Sequence, residues 1–439
     1  MFILIALVIV VILMIIAASK FSIHPFLSLL FAAIVMGFVG GLTEAELTAT
    51  LMDGFGKTLG SIGIIIAFGT IIGVYLEKSG GAMTLANWVI RQVGKRNAAL
   101  AMNLTGFIVS IPVYCDSGFI ILSSLMKAIS RRSKIPLVVL GVSLAAGLYA
   151  THVFIPPTPG PLAAAAALEA DIGLVILLGF VVAIPVALTG LFWAKYIGRK
   201  AGNPPDEIAI DELPEKELPG TTLSFAPIIL PIVLIALNSI AGYPTHPFGQ
   251  GRFVEVLQFI GNPVVALFVG VGFAFRLKHR SKDTHIHWVG QGLRQAGVII
   301  LITGAGGAFG AILRATGVGE FIGSTFSDLE LGLLLPFIIA AVLKTAQGSS
   351  TVAIITTAAI IAPVMESFGL DTATGRALAV LSVGAGAMTV SHINDSFFWV
   401  VAQFTEMDTQ TALKSQTVAT LLQGVVGVLI VLGLGVVLL

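Results

Sequence analysis

The sequence predicts an all-α, polytopic membrane protein, and three observations carry that prediction. Of 439 residues, 56% are hydrophobic and only 11% are charged, against roughly 25% charged in soluble domains. Apolar runs of about 20 residues recur along the whole chain, each long enough for a bilayer-spanning helix. The 49 glycines and 19 prolines suit membrane helices that pack closely and break where the freed backbone can be satisfied. A soluble globular enzyme does not fit. With 24 basic and 23 acidic residues the net charge is +1, which calls for no nucleic-acid partner. A single cysteine, Cys115, excludes a disulfide scaffold.

The apolar segments fall near 1–19, 22–42, 59–77, 97–126, 135–168, 172–194, 223–242, 257–275, 296–313, 331–362, 377–404 and 416–438. The first lacks a basic leader and a small-residue cleavage site, so it reads as a spanning helix. The stretch 195–222 is rich in proline, glycine and charge and reads as a linker. It separates residues 1–194 from residues 223–439.

The two sides share ordered motifs. Gly69-x-x-x-Gly73-x-x-Leu76 matches Gly306-x-x-x-Gly310-x-x-Leu313. Cys115-Asp116-Ser117-Gly118 then stands in the place of Gln347-Gly348-Ser349-Ser350-Thr351. Further on, Ser143-x-x-x-Gly147 precedes Thr151-His152 as Ser382-x-x-x-Gly386 precedes Ser391-His392. An offset of about 240 residues kept through three motifs reads as an internal repeat.

Loop charge predicts orientation. Arg91, Lys95 and Arg96 precede segment 97–126, and Lys127, Arg131, Arg132 and Lys134 follow it. Basic loops stay in the cytoplasm, so both ends of this segment face inward. Pro112 and Gly118 interrupt it. A re-entrant hairpin over about 97–130, with its tip at Pro112–Gly118, accounts for both facts. Its counterpart at about 331–362 is flanked by Asp328, Glu330, Glu366 and Asp371 and should enter from outside, with its tip at Gln347–Thr351. The repeat is thus expected to be inverted, with about ten crossings and both termini outside. All Lys and Arg then face the cytoplasm except Lys57, Arg252, Arg314, Arg376 and the embedded Lys344. Stretches 83–95 and 318–327 read as amphipathic surface helices.

Inverted repeats with broken helices mark secondary transporters, whose sites lie near the midplane. Four breaks are expected: the two hairpin tips, Ile155–Pro161 within broken helix 135–168, and Ser391–Asp395 within broken helix 377–404. Helix N-termini at such points attract anions. Asp116, beside Tyr114, Ser117 and Gly118, is a carboxyl group at membrane depth that can bind and release a proton; it also suits a helix N-cap. Thr151 and His152 precede four prolines in six residues, Pro156 to Pro161, with Thr158 among them. That run cannot remain helical and exposes carbonyls. Ser391-His392-Ile393-Asn394-Asp395 places four polar side chains in an apolar run; Asp395 competes with Asp116 as proton carrier or caps the helix from Ser396. Gly348, Ser349, Ser350 and Thr351 offer hydroxyls and free N–H groups to an anion. Lys344, a turn earlier, needs a partner: the substrate, Asp116 or Asp395. The glycine pairs read as close helix packing. No metal-ligand spacing, P-loop or nucleophile triad occurs, so no cofactor is expected.

At these motifs the chain resembles the gluconate permease family of bacterial sugar-acid:proton symporters. The resemblance rests on Gly118-Phe119 after an acidic residue, Thr151-His152-x-Phe154-x-Pro156-Pro157-x-Pro159-Gly160-Pro161, Gly304-Ala305-Gly306-Gly307-Ala308-Phe309, Gly348-Ser349-x-Thr351-Val352-Ala353 and Ser391-His392-x-Asn394-Asp395-x-x-Phe398-Trp399. It implies proton-driven uptake of gluconate or a related hydroxy acid across the bacterial inner membrane, an elevator-type architecture with paired hairpins, and a homodimer. Gluconate members show Tyr-Glu-Val-Gly where this chain has Cys115-Asp116-Ser117-Gly118, and histidine where it has Thr158. These departures point towards another acid, such as glycerate or a ketogluconate. A D-serine-transporting branch lacks the Ser391-His392 pattern. Sodium coupling, an intramembrane enzyme using Asp116 and His152, and a channel are the alternatives. The mirrored second hairpin argues against a fixed enzymatic site, and discrete polar breaks argue against a continuous pore.

Overall fold

A computed structural model describes residues 2–19, 21, 23–94, 97–198, 218–242, 248–249, 251–277, 282–317 and 332–439. Nearly all of them are helical, with no strand among the described residues. In chain order the helices are α1 (Phe2–Ser19), α2 (Pro25–Val39), α3 (Glu44–Ser79), α4 (Gly81–Val93), α5 (Ala98–Val109), α6 (Cys115–Ser133), α7 (Leu137–Phe154), α8 (Pro159–Ala167), α9 (Ile172–Gly198) and α10 (Thr221–Ala241). They continue as α11 (Arg252–Gly261), α12 (Pro263–Phe275), α13 (Lys282–Ala315), α14 (Leu334–Gln347), α15 (Ser350–Ile361), α16 (Ala373–Met388), α17 (Ser396–Phe404) and α18 (Thr409–Ala412); a π-helical turn, Leu413–Thr417, then leads into α19 (Val418–Leu438). By length and composition five described helices are able to cross a membrane, or seven if each of two bent pairs is one span. Most of the linker, 199–217, and the whole amphipathic stretch 318–327 lie outside the described residues.

Several helices run beyond the apolar segments. α3 starts at Glu44 rather than near 59, because Thr43 and Glu46 form a reciprocal capping box: the Thr43 N–H donates to Glu46 Oε2 at 2.9 Å and the Glu46 N–H to Thr43 Oγ1 at 3.3 Å. Satisfying those first donors lets a polar turn continue the helix. α13 likewise begins at Lys282, well before its apolar run. Conversely, segment 257–275 is bent by 64° where Asn262-Pro263 separates α11 from α12. Asn262 Oδ1 accepts from the Val264 N–H at 3.0 Å and so caps the second piece.

α7 and α16 are buried almost from end to end, and the other helices surround them. Two amides on flanking helices hold this interior together. Asn103 of α5 donates to the carbonyls of Ser143 and Ala187, and Gln423 of α19 donates to those of Ala146 and Val186. Each therefore ties α7 to α9 by the side-chain-to-backbone bonds that replace hydrophobic driving force in lipid. The outward faces carry apolar side chains: Ile5, Ile9 and Ile12 on α1, Phe31 on α2, Phe192 on α9 and Phe268 on α12 are all exposed, as a lipid-facing surface requires.

The long helices α3 and α13 cross where side chains are smallest. A Cβ on Gly307 would strike the Thr58 side chain and come within 2.8 Å of the Gly54 carbonyl, and one on Gly54 would lie 2.5 Å from the Ala311 Cβ. The motif glycines face other partners. Gly69 and Gly73 lie against Pro157 and Pro112, and Gly306 and Gly310 against Ile355 and Ala359 of α15. An apolar cleft beside α3 is lined by Pro112, Pro156 and Pro157 on one side and by Pro227, Pro231 and Pro263 of α10 and α12 on the other.

Candidate transport site

Four of the helix interruptions among the described residues bear on the predicted site. The first interruption covers residues 110–114, so α6 starts earlier than the sequence suggests. Asp116, Ser117 and Gly118 then lie in its first helical turn, and Tyr114 occupies the N-cap position. Asp116 is therefore not the cap; it sits where the unpaired N–H groups and the helix dipole favour a negative charge. Gly118 is buried against Leu148 of α7, and a Cβ there would lie 2.8 Å from the Leu148 Cδ2. The second interruption covers residues 155–158 only. Pro159 and Pro161 belong to the first turn of α8, where a missing N–H costs nothing. Only Pro156 and Pro157, joined by a cis bond, remain outside helix. The third interruption is Gly348-Ser349, and the fourth covers residues 389–395.

Two clusters of the predicted residues emerge, joined through Tyr149. In the first, His152 is buried, with its ring 6.2 Å from that of Tyr114 and 6.5 Å from that of Tyr149. The Tyr114 hydroxyl and His152 Nδ1 are buried without a partner among the described residues. Both residues line a small cleft with Gly69, Thr70, Thr158 and Pro159. Buried polar atoms without partners are rare in native structures and mark places where a ligand or water completes the bonding. Thr151 and Thr158 are less available: Thr151 Oγ1 donates to carbonyls of its own helix, and Thr158 Oγ1 to the Ile155 carbonyl at 2.6 Å.

The second cluster lies between α14, α17 and α6. Lys344 has no solvent exposure, and its Nζ donates to Asp395 Oδ2 at 2.6 Å and to the Gly348 carbonyl at 2.8 Å. Ser391 Oγ donates to the same carboxylate oxygen, while Asp395 Oδ1 accepts the Phe397 N–H at 3.0 Å and caps α17. The backbone of Ser391 is held on both sides: its N–H donates to Thr420 Oγ1 and its carbonyl accepts from Thr417 Oγ1. His392 Nε2 lies 2.8 Å from the Thr345 carbonyl, and Asn394 Nδ2 donates to the carbonyls of Thr345 and Ala346. The third and fourth interruptions are thus locked together. Ser349 caps α15 through the Val352 N–H; Ser350 and Thr351, half-buried, follow in its first turn.

Asp116 faces this group from the first turn of α6. Its Oδ2 accepts from Ser396 Oγ at 3.3 Å and its Oδ1 lies 3.7 Å from the Cys115 thiol. It lies close enough to feel the charges of both Asp395 and Lys344, yet only Asp395 is bonded to the ammonium. Tyr149 packs on Phe397 with ring centroids 5.3 Å apart, and its hydroxyl donates to the Ala387 carbonyl at 3.4 Å. Tyr149, Phe397 and the pair Thr417 and Thr420 join the site without a signal of their own in the sequence analysis, and Ser396 enters there only as a helix start. Tyr149 lies three residues before His152 on one helix face, and that spacing is the signal that was there to find.

The fold is that of a multi-pass membrane transporter. The Alcanivorax borkumensis YdaH transporter matches it with a TM-score of 0.64 at 14% identity, covering 94% of this chain and 99% of that one. A family model described as GntP family permease matches residues 1–437. The gluconate permease of Pseudomonas aeruginosa is 35% identical over 436 residues, covering 97% of this chain and 96% of the relative. The Gnt-II system L-idonate transporter of Escherichia coli K12 is 32% identical over 433 residues, covering 97% of each. The chain belongs to the GntP family of permeases; it is a transport protein and not an enzyme.

Proposed function

We propose that this permease takes up gluconate or a related small hydroxycarboxylate by symport with protons, and that the substrate lies between the two hairpin turns and the two broken helices. One observation carries the coupling: two buried-site carboxylates, Asp116 and Asp395, share a single fixed cation, Lys344, and only Asp395 is bonded to it. With all three ionised the group holds one uncompensated negative charge, which is expensive at membrane depth and repels an anionic substrate. A proton on Asp116 removes that charge, so proton and anion bind better together than apart. Tyr114, Ser117, Gly118, Thr151, His152, Thr158, Gly348, Ser349, Ser350, Thr351, Ser391, His392 and Asn394 form the proposed substrate surroundings, with the partnerless Tyr114 and His152 atoms the foremost donors. Lys344 supports the site through Asp395. Names of relatives that carry gluconate and L-idonate support a sugar acid as substrate.

The repeat is proposed to be inverted, with residues 1–194 and 223–439 as its halves, elevator-like relative movement, and a homodimer in the inner membrane. In this reading the basic C-terminal end of α6, Lys127–Lys134, and the linker face the cytoplasm. Proteoliposomes under an imposed inward proton gradient, offered a panel of sugar acids, are expected to accumulate at least one of them. Uptake that ignores the gradient refutes proton coupling.

A further inference from the structure

A lysine within a membrane protein needs oxygen partners, and those of Lys344 resemble the ligands of a metal cation. A carboxylate oxygen lies at 2.6 Å and a backbone carbonyl at 2.8 Å, and a hydroxyl, Ser391 Oγ, is bonded to the same carboxylate oxygen. Carboxylate, carbonyl and hydroxyl are the donors that hard, hydrated cations choose. The site is also built around a positive charge. Lys344 stands in the last turn of α14, and Asp395 caps the start of α17. An ammonium at a helix C-terminus and a carboxylate at a helix N-terminus each complement the dipole beside them. Gly348 adopts a left-handed conformation, φ +84°, which turns its carbonyl back towards the ammonium four residues earlier. A Cβ at that position would run into the carbonyl of Asn394. The glycine, the capping aspartate and the buried amine therefore form one unit that closes the α14–α15 turn onto the broken segment 389–395.

We infer that the Lys344 ammonium is a tethered cation: it permanently fills the place between the Asp395 carboxylate and the Gly348 carbonyl that a free sodium ion would otherwise occupy, with Ser391 supporting the carboxylate, and so makes the closed arrangement independent of sodium. This deepens the symport reading and rests on it for its meaning, but its test requires no substrate. Removal of the amine leaves a buried carboxylate facing an ammonium-sized space, and a small free cation should then bind there and stabilise the fold by mass action.

The test compares melting midpoints of the purified full-length wild type, Lys344→Ala, Lys344→Ser and Lys344→Ala/Asp395→Asn. The salts are matched chlorides of sodium, ethylammonium and N-methylglucamine. The lysine single variants are expected to melt below wild type in N-methylglucamine and to recover most of the loss in sodium or ethylammonium. The wild type and the double variant should be indifferent to the cation. Single variants that respond to neither small cation overturn the inference, as does a wild type that sodium stabilises as strongly. Should neither single variant yield folded protein in any of these salts, the inference also falls, because a cage that accepts a free cation predicts rescue of folding itself. Failure of proton-driven uptake in proteoliposomes, with these melting results intact, would refute the symport reading and leave the cation cage standing.

Discussion

Gly348→Ala offers the sharpest check on how the third and fourth helix interruptions are joined. Two separable costs follow from the structure. Gly348 has φ +84°, and a non-glycine residue in the left-handed region costs about 1–2 kcal/mol. A Cβ would also meet the Asn394 carbonyl oxygen, with the carbonyl carbon at 2.7 Å and Asn394 Cγ at 3.2 Å. The struck atoms are backbone, and Asn394 is itself anchored through its amide to Thr345 and Ala346, so they cannot swing away as a side-chain tip would. Overpacking of this kind costs about 1–3 kcal/mol, giving about 2–5 kcal/mol in all. Gly41 supplies the control: its φ is +82°, and no atom lies within 4 Å of its Cβ position. Gly41→Ala should show the backbone cost alone, about 1–2 kcal/mol. Melting midpoints of the purified proteins are expected in the order wild type, Gly41→Ala, Gly348→Ala. If Gly348→Ala melts no lower than Gly41→Ala, the broken segment is free to move aside and the lock inferred from Lys344, Asp395 and Gly348 is not one.

Further expectations concern the same body. Asp395→Asn strips the carboxylate from a fully buried ammonium and should destabilise by about 3–5 kcal/mol, read as a marked loss of melting temperature. Asp116→Asn gives up about one hydrogen bond, about 1 kcal/mol, so the protein should fold yet fail to accumulate substrate against a gradient; retained accumulation would exonerate Asp116. Cys115 is 6% exposed, so its reaction with a polar maleimide reports opening of the first interruption, and saturating substrate should slow it. A labelling rate indifferent to every transported substrate would remove that turn from the site. Gly307→Val drives a branched side chain into Thr58 and the Gly54 carbonyl and should cost about 1–3 kcal/mol or more; the surface-facing Gly56→Val, with open space around its Cβ position, should not show that packing loss.

The breaks were legible in the sequence because proline, glycine and clustered polar side chains have no other use inside an apolar run. Their edges were not. Pro159 and Pro161 stand in helix because a first turn demands no N–H from them, and Asp116 stands two positions inside the first turn, past the cap, because the chain resumes its helix at Cys115. The Asn262-Pro263 bend carried a readable signal, an N-cap followed by proline at the first helical position, but the flanking apolar run concealed it. The choice between Asp116 and Asp395 as partner of Lys344 is settled by contacts across 51 positions of chain, and no local pattern encodes that. Tyr149 escaped notice for the opposite reason: one aromatic residue in a buried helix looks like packing, and only the residues brought to it from elsewhere make it a junction.

The glycines that α3 turns towards the two interruptions of the first half have a mechanical consequence. Gly69 and Gly73 meet Pro157 and Pro112 with backbone against backbone, and among the described residues no hydrogen bond joins α3 to either turn. The polar groups that α3 commits across helices, Thr70 and Tyr75, go to Gly292 and His285 of α13 instead. Displacement of the turns along α3 therefore severs no directional bond. It only exchanges one set of dispersion contacts, each worth about 0.1–0.2 kcal/mol, for another of similar depth. Such a seam behaves as a bearing: stiff against separation, since lifting the surfaces apart forfeits every contact at once, and compliant in shear.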